Sequence, residues 1–99
     1  MILTVLAAGP QHGYGIMTEV ERVSAGRVRV RPGTLYAALD RLKADRVIEP
    51  DRDEVVETRL RRYYRLTPAG ARTLADEAKR LQANVDLAVC RLKLAGGAA

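Results

Sequence analysis

Leu74, Ala78, Leu81, Val85, Ala88 and Leu92 recur at intervals of four, three, four, three and four residues. That rhythm is a heptad seam, the pattern of a helix that packs along its length against another helix. Thr67 and Pro68 stand where such a helix begins, as N-cap and first-turn proline. Gly96 and Gly97 stand where it ends, with a flexible tail from Gly96 to Ala99. A helix running from there to about Leu94 is on the order of 40 Å long. The chain has 99 residues, and so small a domain cannot cover that seam alone. The seam therefore predicts a homodimer with those six residues as its contact line.

The rest of the chain must build its core without large aromatics, since it holds four Tyr, no Phe and no Trp. Leu, Val, Ile and Ala remain, which favours helices. Residues 2 to 8 are apolar and end at the breaker pair Gly9-Pro10. Ile16, Val20 and Val23, with Met17 beside them, follow Gly13-Tyr14-Gly15 at helical spacing, and Gly26 suits the C′ position of that helix. Arg27-Val28-Arg29-Val30-Arg31 alternates strictly and reads as a short strand with its valines inward. Pro32 then opens a helix in which Leu35, Ala38, Leu39 and Leu42 follow the i, i+3, i+4, i+7 template, ending near Asp45-Arg46.

Val47-Ile48 begins a strand that Pro50 either limits or marks as an edge. A second strand runs from Arg61 to Leu66, and Asp51 to Thr58 between them reads as a mobile hairpin tip. The order is helix, helix, short strand, helix, hairpin, long helix. The predicted fold class is mostly α with a small β wing: a winged helix-turn-helix over residues 1–66, and a long C-terminal dimerisation helix with a short tail over residues 67–99.

Charge is distributed unevenly over this frame. The net charge is +5, and 14 of the 17 cations are Arg. Residues 22 to 46 sum to +5, residues 47 to 57 to −4 and residues 58 to 66 to +4. Two basic blocks thus flank an acidic one, a balance that fits a polyanionic partner such as nucleic acid. An Arg-rich composition arises from codon bias as readily as from phosphate recognition.

Three segments carry a family signature. His12-Gly13-Tyr14-Gly15-Ile16 resembles the HGYxI motif of PadR-type regulators. Pro32-Gly33-Thr34-Leu35-Tyr36-Ala37-Ala38-Leu39 is similar to their GTLYxxL recognition-helix motif. Arg62-Tyr63-Tyr64-Arg65-Leu66-Thr67-Pro68-Ala69-Gly70 is similar to their RxYYxLTxxG junction between wing and final helix. The resemblance covers residues 10 to 70 and implies a homodimeric repressor that binds a double-stranded DNA operator. It further implies release of DNA by a small hydrophobic effector.

On the helix after Pro32 the face opposite the leucines carries Ala37, Asp40, Arg41 and Ala44, with Thr34 and Tyr36 toward its edges. Small residues there let a helix backbone approach a groove floor. Arg41 suits guanine O6 and N7, and Asp40 suits cytosine N4. The Thr34 and Tyr36 hydroxyls suit phosphates. The same face would also serve as an ordinary solvated surface with Asp40 paired to Lys43. On the second wing strand, alternation sets Arg61, Tyr63 and Arg65 outward and Tyr64 and Leu66 inward, with Arg62 near the tip and Arg59 close by. These arginines suit phosphates, or guard the sheet edge against aggregation. Tyr14 completes the expected DNA-contacting set. A winged-helix module that binds protein instead of DNA is the alternative.

Catalysis and cofactors are not expected. The single His12 and single Cys90 make no metal set, and no nucleophile elbow accompanies Ser24 or Cys90. His12 is expected to make a structural hydrogen bond at the entry to the second helix, with a pH switch as the alternative. Cys90 falls on the outer side of the seam. No apolar run is long enough to span a membrane, and the opening residues lack the basic start of a signal peptide. A bacterial cytoplasmic protein at the nucleoid is the expectation. The alternation of Leu74, Leu81 and Leu92 with Ala78 and Ala88 leaves room for an apolar effector between protomers, or simply allows close helix packing.

Overall fold

The computed structural model describes residues 1–96. Its elements are α1 (Ile2–Ala7), β1 (Gln11–His12), α2 (Gly13–Val23), α3 (Pro32–Ala44), β2 (Ile48–Val56), β3 (Arg59–Leu66) and α4 (Pro68–Ala95). The strands form one antiparallel sheet in the order β1-β3-β2. This is the winged helix-turn-helix with a long C-terminal helix expected from the sequence. Among the described residues no helix is long and apolar enough to cross a membrane.

The core gathers one or two residues from almost every element. Val5 and Leu6 come from α1, Ile16 and Val20 from α2, Leu35 and Leu39 from α3, Ile48 from β2 and Tyr64 from β3. Each fully buried aliphatic side chain contributes about 1.5–3 kcal/mol. The helical spacing identified Ile16, Val20, Leu35 and Leu39 correctly, whereas Val23 is 47 % exposed at the end of α2. Six residues of α1 could not hold a helix alone; burial of Val5 and Leu6 holds it.

Three local expectations are corrected. Arg27–Arg31 is no strand but an irregular extended link from α2 to α3. Only one of its two valines turns inward as alternation predicts: Val30 packs against the core, while Val28 is 39 % exposed. A strand also needs a ladder partner, and the edge of β3 is already taken by Gln11–His12. That two-residue strand is too short to leave a period in the sequence. Next, the C′ position of α2 belongs to Ala25, at φ 54°, with Gly26 one residue beyond at φ 78°. Gly26 N–H donates to Glu21 O at 2.8 Å and Ala25 N–H to Arg22 O at 3.1 Å, the paired bonds of a Schellman close. Arg46, at φ 60°, closes α3 in the same way.

The third correction concerns the hairpin. Asp51 to Val56 belongs to β2, and the connection shrinks to Glu57 and Thr58, at φ 50° and 66°. Two consecutive positive φ values are the mark of a type I′ turn, here made without Gly or Asn. The irregularity falls instead between Pro50 and Asp53, where the register shifts. Pro50 is accommodated because β2 is an edge strand, as expected. Lastly, residues 97–99, the larger part of the expected flexible tail, lie outside the described residues.

Thr67 joins α3, β2 and α4. Its N–H donates to Val47 O at 3.1 Å, its hydroxyl donates to Arg46 O at 2.7 Å and accepts from Gly70 N–H at 2.9 Å. The N-cap read from Thr67-Pro68 is thus also a tertiary anchor. Beyond Leu74, which is half-buried, every described residue of α4 is exposed.

Candidate nucleic-acid interface

The start of α2 is fixed by His12. Its Nδ1 accepts the Gly15 N–H at 3.2 Å, capping the helix as expected. An accepting Nδ1 carries no proton, so the neutral ring bears its hydrogen on Nε2. Burial, and then the nearby Arg61 guanidinium, hold its pKa below the ordinary histidine value. The ring meets Tyr63 edge-on, with centroids 5.2 Å apart at 78°.

Helix α3 starts at Pro32 and buries Leu35 and Leu39, so Ala37, Arg41 and Ala44 project into solvent on the opposite side. Ala38 and Leu42 are half-buried on one flank and Tyr36 and Asp40 exposed on the other. Among the described residues Asp40 makes no ion pair with Lys43, and it lines a cleft instead.

That cleft, of about 660 Å³, is lined by Tyr14 and Gly13 from α2, His12 from β1, Tyr36 and Asp40 from α3, and Arg59, Leu60, Arg61, Arg62 and Tyr64 from β3. It therefore unites six of the ten residues expected to contact DNA, drawn from three separate segments. Ala37 and Arg41 lie outside it on the exposed face of α3. Thr34 lies apart, beside an apolar groove formed with Met1, Ile2, Leu3, Val20, Val28, Val30, Ala38 and Leu42. Tyr63 is half-buried rather than free, between the His12 edge and the Arg52 guanidinium 4.3 Å above its ring.

The acidic block accounts for how positive charge is spread on the wing. Arg65 bonds Glu49 at 2.8 Å and Asp51 at 3.2 Å, and Arg62 meets Asp53 at 3.5 Å. Exposed pairs like these contribute only about 0–1 kcal/mol each, yet they neutralise two of the five wing arginines. Arg52 pairs with Asp51 and Glu54. Among the described residues, Arg59 and Arg61 have no acidic partner within 4.0 Å. Both line the cleft. Sequence reasoning did not single out Gly13 or Leu60; the HGYxI resemblance was the only signal for the former, and an exposed Leu near a turn gives none.

Along α4 the seam residues are open to solvent, with Leu81 54 %, Val85 53 % and Leu92 71 % exposed. Apolar exposure extends off the seam to Leu87, Val89 and Leu94, which the heptad reading did not include. Cys90 is exposed.

Residues 2–76 match the Transcriptional regulator PadR-like family. The chain belongs to that family. Its members are transcription regulators and not enzymes. An uncharacterised 37.1 kDa protein in transposon TN4556 of Streptomyces fradiae is 42 % identical over 78 residues, 79 % of this chain and 21 % of that protein. This chain thus spans about a fifth of that relative's length. Transcriptional regulator Rv3488 of Mycobacterium tuberculosis is 40 % identical over 81 residues, covering 82 % of this chain and 72 % of that protein. The fold of Bacillus subtilis PadR, solved in complex with operator DNA, superposes with a TM-score of 0.69 at 24 % identity, over 78 % of this chain and 44 % of that one. The PadR-like helix-and-wing frame therefore carries the cleft described above.

Proposed function

We propose that this PadR-like chain is a homodimeric, sequence-specific DNA-binding repressor of the bacterial cytoplasm, released from its operator by a small apolar effector. The observation that carries DNA binding is the cleft where α2, α3 and the wing bring Tyr14, Tyr36, Asp40, Arg59, Arg61 and Arg62 together. It borders the small-residue face of α3. That face enters the major groove, with Ala37 and Ala44 allowing close approach and Arg41 donating its planar fork to a guanine edge. Arg59 and Arg61 grip phosphate. The operator complex of B. subtilis PadR supports this reading. Dimerisation rests on the exposed α4 seam. Effector release rests on the family and on the alternation of Leu with Ala along that seam.

Substitution separates base reading from backbone gripping. Arg41→Ala should weaken operator binding by about 1–3 kcal/mol and relax discrimination at one position in each half-site. Arg61→Ala should weaken operator and random DNA alike and reduce the slope of log affinity against log salt by roughly 0.9 for the lost phosphate. Fluorescence anisotropy on the DNA upstream of the chain's own reading frame, against scrambled DNA, measures both. Equal effects of the two substitutions on both DNAs would refute this division of roles. Planar apolar compounds added to the same assay should displace the operator, and failure across a broad set would remove the effector from the account. Absence of any DNA binding would favour the protein-binding module instead.

A further inference from the structure

Gly13 is the first residue of α2 and is buried. A Cβ built on it would lie 2.8 Å from the Tyr36 Oη, 3.1 Å from its Cζ and 3.2 Å from its Cε1. The phenol of α3 therefore rests directly on the backbone at the head of α2, in space that any side chain at position 13 would occupy. We propose that Gly13 is a positioning residue for DNA binding: its missing side chain lets Tyr36 lie across the α2–α3 junction and holds the Tyr36 hydroxyl at the cleft, where it donates to a DNA phosphate. The inference rests on the DNA-binding reading given above.

Gly70, where backbone blocks the Cβ, differs in kind from Gly13. At Gly70 the nearest obstacle to a Cβ is the backbone oxygen of Val47, at 1.9 Å. At Gly13 the three nearest atoms all belong to the outer end of one side chain that is itself 50 % exposed. Tyr36 has somewhere to go, so a methyl group at position 13 costs the fold little. Gly13 has no positive φ, and it sits in a helix, where Ala is the better residue. A role in fold stability therefore predicts no gain from glycine here. A role in placing Tyr36 predicts that glycine is worth keeping only for binding. The cleft then has a defined division of labour: Arg59 and Arg61 supply charge, and Tyr36, seated on Gly13, supplies one fixed donor.

The test is a double-mutant cycle on the full chain, using anisotropy with the upstream DNA and thermal melting. Gly13→Ala should melt at or above the wild-type temperature and bind the operator roughly tenfold more weakly, the scale of one hydrogen bond to a charged acceptor. The salt slope should not change, because a tyrosine contact releases no counterion. Tyr36→Phe should match Gly13→Ala, and adding Gly13→Ala to Tyr36→Ala should cost nothing further. The inference is overturned if Gly13→Ala binds like the wild type, if its loss persists undiminished in the Tyr36→Ala background, or if it melts well below the wild type. Wild-type protein that binds no DNA would overturn the DNA-binding reading itself, and this inference with it.

Discussion

Gly70→Ala should be the most damaging single-methyl addition in the chain. The new Cβ would lie 1.9 Å from Val47 O, and 2.9 Å from both Val47 C and Leu66 Cδ1. Neither side of this contact yields cheaply. Val47 O already accepts the Thr67 N–H at 3.1 Å, and the Gly70 N–H is held by the Thr67 hydroxyl at 2.9 Å. Relieving the overlap means pulling α4 off the α3–β2 junction and breaking the cap. Overpacking typically costs 1–3 kcal/mol and sometimes more; with backbone as the obstacle, a loss of about 3 kcal/mol is expected. For a domain near this size, that lowers the melting temperature by roughly 10–20 °C. Gly33→Ala is the control, since nothing lies within 4 Å of its Cβ and it sits in α3. A Gly70→Ala protein that melts with the wild type would show that the junction is not tight.

Leu81→Asp should separate the protomers while leaving the winged domain folded. Leu81 is 54 % exposed on the single chain and lies at the centre of the seam, far along α4 from the buried core. A symmetric dimer buries it twice, once from each protomer. Losing two buried leucines removes about 3–6 kcal/mol, before the cost of desolvating a carboxylate. At 1.4 kcal/mol per tenfold, the dimer dissociation constant should rise by roughly two to four orders of magnitude. Sedimentation at micromolar concentration should then find a monomer with wild-type helical content in circular dichroism. Operator affinity should fall toward that of one half-site. Leu87→Asp, at a comparably exposed position off the seam, should leave the dimer intact. A Leu81→Asp protein that still sediments as a dimer would take the interface elsewhere.

The elements most legible in the sequence were those whose signals were local and redundant. Helix α3 has a proline start and an unbroken apolar template, and α4 has a Thr-Pro start and a heptad seam. The sheet was less legible because pairing is a relation between distant segments. Gln11–His12 became a strand only because β3 offered an edge there, and Arg27–Arg31, which alternates better, found none. The type I′ turn at Glu57-Thr58 leaves no mark in the sequence because neither residue is a usual carrier of positive φ.

The cleft shows the same division. Its arginines and tyrosines could be nominated from charge and motif, and six of the ten proposed contacts meet at one place. Which arginines are neutralised could not be read, since the pairing of Arg65 with Glu49 and Asp51 depends on the β2–β3 register. Tyr63 was assigned outward from alternation alone, and alternation cannot reveal that His12 and Arg52 enclose its ring. The seating of Tyr36 on Gly13 is likewise a tertiary contact between two helices, and no periodicity carries it.

The proposed dimer places two recognition helices on one operator. Hydroxyl-radical footprinting of the wild-type protein on the DNA upstream of its own reading frame tests it most directly. Two protected segments on the same face of the duplex, centred about 34 Å apart, are the predicted result. A single protected segment of one half-site, or uniform weak protection regardless of sequence, would contradict it.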